Sequence, residues 1–503
     1  MKRDPFGFST VTPQDGVYTE TVGRRFSAAK LTAVRFFAAT DGHDTPLTTA
    51  TDYVYRGSLK PTAGHLFFLT CPADGQSTVY IVPTPDMILP SLSLDGGVLS
   101  ITCGGYPVIR GVSAFGEEAL LCRTWYRTLY RPHALVCMSN TWGERGGREV
   151  VTEEFVRREI DCAAQLLVDA VQVDDGWQKN APTVYDEERR HIFPGEFWEV
   201  DEAAFPHGIE AITPYARERG VETGLWFAPH SANDFEYFER DLAILGRAHR
   251  EWGFRYFKLD MMHLDTLSQC RRAEEFFGAI PALGEGVTVE LDVTANRRLG
   301  YLASAPYGTL FVENRYSAWG NYYPHATLRN LWLLCRYIPA SKFQFEVLNP
   351  CRFTEKYEKD DPYRPELYGI DYLFASVMVA NPLLWMEMQR LQKREAARLH
   401  AILAVWRRYR GELAVADVTP IGEEPSGCAL TGFMARHKTA MHLILLREGT
   451  ERDTHIVPRP AGCGEGVLLA SDTEVTVSSE GDTLHVRLKD PRSYAWILFP
   501  SEG

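Results

Sequence analysis

Between about residue 126 and residue 410 the chain alternates short apolar runs with stretches whose apolar residues recur at helical spacing. Eight of the apolar runs read as strands. Alternating β and α elements in this number predict an α/β protein with a central (β/α)8 barrel, or TIM barrel. The eight strands are predicted at 134–140, 170–175, 223–229, 255–260, 287–293, 309–314, 342–349 and 383–388.

Two of the helices between these strands have recognisable start signals. Thr152 can cap a helix whose first turn contains Glu153 and Glu154, and the positive end of the helix dipole favours these carboxylates. We expect Asp234 to cap another helix in the same way. The apolar stripes that follow, which we interpret as barrel packing, are Val156, Ile160, Ala163 and Leu167 in the first helix and Phe235, Phe238, Leu242 and Leu245 in the second.

The two flanks of this region have a different pattern. Both consist of short apolar runs separated by turn residues, which is typical of all-β domains. We therefore predict three domains. These are an N-terminal, β-sandwich-like domain at 1–125, the barrel at 126–410, and a C-terminal antiparallel β-sandwich at 411–503.

Composition narrows the function classes. The formal net charge of −13 over 503 residues argues against a nucleic-acid partner, whose binding would rest on basic residues. No apolar run has the roughly 18 residues of a membrane span, and the start MKRDPFGFST lacks the apolar segment of a secretory signal. The ten cysteines are scattered without a CxxC pair, so we expect reduced thiols and a cytoplasmic protein.

The candidate chemistry lies where the predicted strands end, because TIM-barrel active sites are built at that face. Carboxylates together with aromatic rings suit a sugar, whose hydroxyl groups need acceptors and whose ring face stacks on aromatic planes. The polar candidates are Asn140, Asp174, Asp175, Lys258, Asp260, Asp292, Glu313, Arg315 and Glu346, and the aromatic ones are Trp142, Trp177, Trp226 and Trp319.

Asp260 and Glu313 are the candidate catalytic pair. Lys258 and Asp260 stand two residues apart on one strand, so they share a face, and the ammonium would keep Asp260 ionised as a nucleophile needs. Glu313 would lie across the barrel mouth. Glycoside hydrolysis with retention requires two carboxyl groups about 5–5.5 Å apart. The alternatives are a structural ion pair of Lys258 with Asp260 and of Glu313 with Arg315.

The string VDDGW would form a sugar clamp, with Asp174 and Asp175 accepting from neighbouring hydroxyls; the alternative is an acidic turn that caps the next helix. No His, Asp or Glu cluster has metal-ligand spacing, so no catalytic metal is expected. Phosphate-binding, dinucleotide-binding and serine-hydrolase motifs are absent from the sequence.

Four motifs in order carry a family resemblance. They are SNTWGE at 139–144, VDDGWQ at 173–178, FPHGIEAITPYARERGVETGLWFAP at 205–229 and KLDMM at 258–262. With them the chain resembles the α-galactosidases of glycoside hydrolase family 36, whose clan also contains family 27.

The resemblance implies retaining hydrolysis of α-galactosides without a cofactor. It implies Asp260 as nucleophile and Glu313 as acid/base, with Asp174 and Asp175 holding the 4-OH and 6-OH and Lys258 the 3-OH or 4-OH. By analogy, a homo-oligomer is also implied. Further sugar-binding residues implied by the matched segments are Asn140, Trp142, Trp177, Trp226 and Arg298.

The sequence also departs from the family pattern. Glu313 stands where the family has Asp, Ala228 replaces a Glu, and Asp292 in ELDVTANR stands at a Cys position that meets the substituent on C2. The substrate is therefore expected to be an α-galactoside or a C2-substituted relative such as an α-galactosaminide. Two alternatives remain, a transglycosidase of the raffinose-synthase type and a non-catalytic sugar-binding barrel.

Overall fold

The computed structural model describes residues 6–22, 30–38, 45–54, 57–71, 75–130, 133–144, 147, 150–179, 184–185, 191–193, 195–293, 297–313, 315–316, 318 and 320–501. Its N-terminal part contains two antiparallel sheets, ordered β1-β10-β7-β6-β3-β4 and β2-β9-β8-β5. The strands are β1 (Ser9–Val11), β2 (Val17–Thr21), β3 (Lys30–Phe36), β4 (Thr48–Val54), β5 (Ser58–Ala63), β6 (Leu66–Cys71), β7 (Gln76–Ile81), β8 (Ser91–Asp95), β9 (Val98–Thr102) and β10 (Val108–Ala114).

The central strands of the larger N-terminal sheet are buried on both faces, whereas its edge strand β4 is mostly exposed. Leu69 and Tyr80 pack against the smaller sheet, while Phe68 and Val79 join the core that this sheet shares with the barrel. Strand β6 is therefore buried at every position and almost wholly apolar, because alternation with polar residues is lost when both faces of a strand are covered.

Eight parallel strands close the barrel, which confirms the predicted fold class. Strand β20 pairs with β11 through Met138 and Leu383, so the barrel has no free edge. The strands are β11 (Met138–Asn140), β12 (Ala170–Val173), β15 (Glu222–Phe227), β16 (Tyr256–Leu259), β17 (Thr288–Asp292), β18 (Thr309–Val312), β19 (Phe343–Val347) and β20 (Asn381–Leu384), and a hairpin of β13 (Val184–Tyr185) and β14 (His191–Ile192) follows β12.

The helices are α1 (Glu118–Leu129), α2 (Glu153–Leu166), α3 (Ile212–Arg217), α4 (Ala232–Phe235), α5 (Phe238–Arg250), α6 (Leu267–Ala279), α7 (Gly300–Ala303), α8 (Pro324–Leu334), α9 (Ile370–Ala375) and α10 (Lys393–Val415). Short 3-10 helices lie at Gly195–Trp198, Ile209–Ala211, Ile280–Leu283, Ala340–Lys342, Thr354–Lys356, Pro365–Leu367 and Met388–Arg390. None of the described helices is long and apolar enough to cross a membrane.

One of the two predicted helix caps is confirmed. The Thr152 hydroxyl accepts a hydrogen bond from the Phe155 amide at 3.2 Å, at the start of α2. The prediction for Asp234 was wrong, since helix α5 starts only at Phe238 and Asp234 adopts a left-handed conformation with φ 55°. Its carboxylate instead accepts from the Ser268 hydroxyl at 2.6 Å.

After helix α10 the chain forms two antiparallel sheets, ordered β21-β22-β23-β28-β25 and β24-β27-β26, with an apolar core between them. The strands are β21 (Asp417–Gly422), β22 (Leu430–Arg436), β23 (Ala440–Arg447), β24 (Thr454–Pro458), β25 (Val467–Ser471), β26 (Val475–Glu480), β27 (Thr483–Leu488) and β28 (Ser493–Pro500).

Hydrogen bonds join segments beside the N-terminal sheets to the barrel. The Asp86 amide donates to the Arg298 carbonyl at 3.1 Å, and the Tyr301 hydroxyl donates to the Phe37 carbonyl at 3.1 Å. These bonds fix the segment around Arg298, which lies between strands β17 and β18.

Candidate active site

A buried ion cluster occupies the barrel at the carboxyl ends of its strands. Lys258 and Asp260 come from the end of β16, and Asp174 follows β12. The Lys258 ammonium donates to Asp174 Oδ2 at 3.0 Å and lies 3.9 Å from Asp260 Oδ2. The expected sharing of one face by Lys258 and Asp260 is thus observed, with Asp174 added as the nearer partner of the ammonium.

Asp260 is held by donors on both oxygens. Oδ2 accepts from the Trp226 indole at 3.2 Å, whereas Oδ1 accepts from the Met261 amide at 2.6 Å and from Arg298 Nη2 at 3.3 Å. Burial opposes ionisation of this carboxyl, but the cations of Lys258 and Arg298 outweigh it and hold the pKa of Asp260 below its usual value. About one fifth of the side chain, 20 %, is still exposed.

The Lys258 side chain is itself enclosed by aromatic rings. Its ammonium lies 4.9 Å from the ring centre of Trp385 and 5.4 Å from that of Phe311. Burial would lower its pKa, yet the carboxylates of Asp174, Asp260 and Asp292 together raise it. The ammonium therefore stays charged, and its charge is shared among three acidic groups.

Arg298 links the ends of two strands. Its Nε donates to the Asp292 carbonyl at 2.8 Å, its Nη1 donates to the Met262 carbonyl, and its Nη2 reaches Asp260. Asp292 ends strand β17, is 1 % exposed, and its main-chain carbonyl is the acceptor of Arg298 Nε. The structure thus gathers Asp174, Lys258, Asp260, Asp292 and Arg298 into one site.

Asn140 and the tryptophan after it connect to this site from strand β11. The Asn140 side-chain amide donates to Asp174 Oδ2 at 2.7 Å and to Gln172 Oε1 at 2.8 Å. Its Oδ1 accepts from the Trp142 amide at 2.8 Å, and the Trp142 ring is half-buried.

The turn after β12 contains two more candidate residues, Asp175 and Trp177, and their surroundings differ. Asp175 is half-buried, and one of its oxygens accepts from the Gln178 amide. Trp177 is fully buried behind the barrel, where its ring packs on Trp198 at 5.9 Å and its indole donates to the Trp226 carbonyl at 3.1 Å. The expectation that the Trp177 ring contacts a sugar is therefore corrected, because this ring has no accessible face.

Glu313 lies in a second buried cluster. Its Oε1 accepts from Arg315 Nη2 at 3.1 Å and from the Asn330 amide, and its Oε2 accepts from the Thr327 hydroxyl at 3.2 Å. The side chain is 0 % exposed. This is the structural ion pair that was the alternative interpretation, and no described contact joins Glu313 to Asp260.

The reason for this orientation is local. Strand β18 ends at Val312, and Glu313 adopts φ 72°, so the alternation of a strand no longer decides where its side chain points. Glu346 joins the same cluster, 3.7 Å from Arg315 Nε, and burial together with the neighbouring Glu313 raises its pKa well above the usual value. Trp319 lies outside the described residues.

Sequence reasoning missed Trp385 and Gln172. Trp385 follows β20 and covers Lys258, but its apolar surroundings in the sequence resemble ordinary barrel packing. Within the described ranges, no group of three or more His, Cys, Asp or Glu side chains is arranged to hold a metal ion.

The fold and this cluster define a class of protein, a (β/α)8 barrel flanked by antiparallel β-sheets, with a buried ion cluster at the carboxyl ends of its strands. No protein-family model matches the sequence, and a search of curated proteins gives no significant match.

Solved structures do resemble it. A variant of the family 36 α-galactosidase AgaA from Geobacillus stearothermophilus, in complex with raffinose, superposes with a TM-score of 0.69 at 13% identity, covering 96% of this chain and 76% of that one. The α-galactosidase from Lactobacillus brevis gives a TM-score of 0.68 at 10% identity, covering 96% and 75%. These likenesses confirm the fold that the resemblance to family 36 implied.

Proposed function

We propose that this protein is a retaining, exo-acting α-glycosidase that hydrolyses terminal α-galactosides or a C2-substituted relative such as an α-galactosaminide. The observation that supports it is the state of Asp260. This carboxylate is partly exposed at the active face of the barrel, is kept ionised by Lys258 and Arg298, and is oriented by the Trp226 indole. A glycosidase nucleophile needs these three properties.

In the proposed first step, Asp260 attacks the anomeric carbon while a carboxylic acid protonates the departing oxygen. In the second step, water deprotonated by the same group releases the sugar, so the configuration at the anomeric carbon is retained. Asp174 and Lys258 would meet the hydroxyl groups on C3, C4 and C6, and the similar α-galactosidase was solved with raffinose. Asp292 would meet the group on C2.

The assignment of Glu313 as acid/base stays a prediction. In the structure its carboxylate is surrounded by Arg315, Thr327 and Asn330. Proton transfer to a glycosidic oxygen needs hydrogen-bond reach, so Glu313 would have to leave this cluster when substrate binds. The same observation favours a second candidate function, a sugar-binding barrel without catalysis.

We also keep the expectation of a cytoplasmic protein. The described residues include all ten cysteines, and no disulfide joins any two of them. Such an arrangement is typical of a reducing compartment.

The first experiment tests Asp260. Dinitrophenyl α-galactoside and α-galactosaminide are offered to the wild type and to Asp260→Asn, with Asp265→Asn as the matched control, because Asp265 is a partly exposed carboxylate five residues further on. We expect Asp260→Asn to lose several orders of magnitude in turnover and the control to keep the wild-type rate. Absence of turnover in the wild type, together with measurable galactose binding, would establish the non-catalytic alternative.

The second experiment tests Glu313. If it is the acid/base, Glu313→Gln should lose about 10²–10⁴-fold on substrates with poor leaving groups and much less on dinitrophenyl glycosides, and azide should restore part of the second step. If the cluster is only structural, both substrate types should lose rate equally and the melting temperature should fall.

A further inference from the structure

A column of hydrogen bonds continues from the sugar site down through the barrel interior. Gln172 Oε1 accepts from the Asn140 amide at 2.8 Å, and Gln172 Nε2 donates to Glu290 Oε2 at 3.2 Å. Gln172 stands on β12 and Glu290 on β17, with two strands between them, so the glutamine side chain crosses the barrel interior to reach its partner.

The space for this crossing is provided by a glycine. Gly224 on β15 is the register partner of Gln172, and a Cβ at this position would lie 3.2 Å from Gln172 Cγ and 2.9 Å from the Tyr256 carbonyl oxygen. Any larger residue at 224 would crowd the glutamine side chain. The absence of a side chain here therefore matches the long reach of Gln172.

The column is placed where a barrel normally has branched apolar residues. Gln172 is 0 % and Glu290 4 % exposed, and a buried polar group destabilises the fold unless it is hydrogen-bonded. Burial raises the pKa of Glu290 to about 8, so this carboxyl is mostly protonated at neutral pH. Apolar residues at these two positions would therefore stabilise the fold more than Gln172 and Glu290 do.

Their effect is to determine the orientation of Asn140. Both donors of the Asn140 amide are used, one on Gln172 and one on Asp174, and its oxygen accepts from the Trp142 amide. An amide with all its groups engaged has one orientation. If Gln172 lost its acceptor, Asn140 could rotate, and the donor that holds Asp174 beside Lys258 would move with it.

We propose that Gln172 and Glu290 are positioning residues of the sugar site, acting through Asn140 on the Asp174 carboxylate that Lys258 contacts. The inference rests on the proposed function for its effect on sugars, and on the described contacts alone for its effect on Asn140. In this proposal neither residue contacts the substrate.

An exchange of donor and acceptor tests the column. Gln172→Leu removes both hydrogen bonds. Gln172→Glu keeps the acceptor for Asn140, and the mostly protonated Glu290 can donate to the carboxylate at position 172. In the double variant with Glu290→Gln, the side-chain amide at position 290 can donate to that carboxylate instead. We expect Gln172→Leu to lower kcat/KM by about 10-fold to 100-fold, and both variants that keep the acceptor to stay within a few-fold of the wild type.

Gln344→Leu is the matched control. Gln344 is also a buried glutamine inside the barrel, 3 % exposed, but the described contact of its side-chain amide is with the Met138 sulfur, at 4.0 Å, and not with Asn140. We expect this variant to keep the wild-type kcat/KM. A purely structural role for the column would appear as equal losses at 172 and 344 that follow the melting temperature, with a similar loss in the variants that keep the acceptor, and would overturn the proposal.

A readout that needs no turnover separates this inference from the proposed function. The crystal structure of Gln172→Leu should show the Asn140 amide rotated and the contact between Asp174 and Lys258 lengthened, and calorimetry with 1-deoxygalactonojirimycin should show weaker binding than in the wild type. An unchanged Asn140 in that crystal structure would overturn the inference. If the wild type neither turns over glycosides nor binds this probe, the proposed function fails while the crystal structure still decides the role of Gln172.

Discussion

Replacing Lys258 by methionine removes a cation that lies against both Asp174 and Asp260. Methionine keeps most of the side-chain volume, so packing against Trp385 and Phe311 should change little. What the variant loses is charge. Asp260 would keep Arg298 as a partner, whereas Asp174 would keep hydrogen bonds such as that from Asn140.

The size of the effect follows from the two distances. At 3.0 Å and 3.9 Å, with the effective dielectric of about 20 that suits protein sites, the ammonium attracts the two carboxylates by about 5.5 and about 4 kcal/mol. Desolvation of the lysine cancels part of this attraction. Removing one partner of a buried ion pair usually costs about 3–5 kcal/mol, and we expect a loss in this range at neutral pH.

The loss should depend on pH with a definite sign. In the wild type the pKa of Asp260 lies below its unfolded value, so this group adds stability above the unfolded pKa and loses it as the pH falls through the folded one. In Lys258→Met the burial of Asp260 is no longer offset by that ammonium, so its folded pKa should rise, and protonation would then relieve the repulsion between the two carboxylates. The variant should therefore approach the wild type as the solution is acidified.

Urea denaturation of both proteins at about pH 5 and about pH 8 measures this difference. Lys489→Met is the matched control, because Lys489 lies 3.0 Å from Glu474, the same distance as in the buried pair, but 60 % of its side chain is exposed. Its denaturation midpoint should not change. A penalty for Lys258→Met that is equal at both pH values, or no larger than that of the control, would refute the reasoning.

Two further predictions concern packing and burial. A Cβ on Gly143 would clash with the Trp385 ring, so Gly143→Ala should lower the free energy of unfolding by about 1–3 kcal/mol and weaken galactose binding. Gly411→Ala is the control, because a Cβ there meets open space; in thermal melts it should be neutral or slightly stabilising. Burial raises the pKa of Asp86 to about 6, so this carboxyl favours the fold only while it is protonated and its contribution falls as the pH rises from about 4 to about 6. The free energy of unfolding of Asp86→Asn, measured by urea denaturation, should therefore rise relative to that of the wild type by about 3 kcal/mol over this pH interval. A difference that stays constant with pH would contradict the assignment.

Much of the barrel could be predicted because its strands are apolar and its motifs follow them closely. Lys258 and Asp260 were placed on one face by strand alternation alone, and the structure shows them there. Glu313 was placed across the barrel mouth by barrel geometry, and that position stays a prediction. Like Asp260 it follows its strand by one residue, but it has a positive φ and its carboxylate contacts Arg315, a local conformation that the strand pattern does not encode.

Contacts between distant parts of the chain were beyond such rules. Trp385 covers Lys258 from a position 127 residues further along, and Gly143 is small because Trp385 lies against it. The role of Gln172 depends on Glu290, which is 118 residues away. Neither pairing has a signature in one sequence, because the partners meet only when the barrel closes.

The hydrogen bonds between the N-terminal segment and the barrel make the barrel dependent on that segment. The Asp86 amide donates to the Arg298 carbonyl. The Leu47 amide donates to the Asn330 side chain, whose own amide donates to Glu313. A shortened gene that encodes the barrel alone would lose both supports. The first ninety or so residues therefore support the two buried clusters from outside the barrel, and exchanging them for the N-terminal domain of another protein should disturb both clusters.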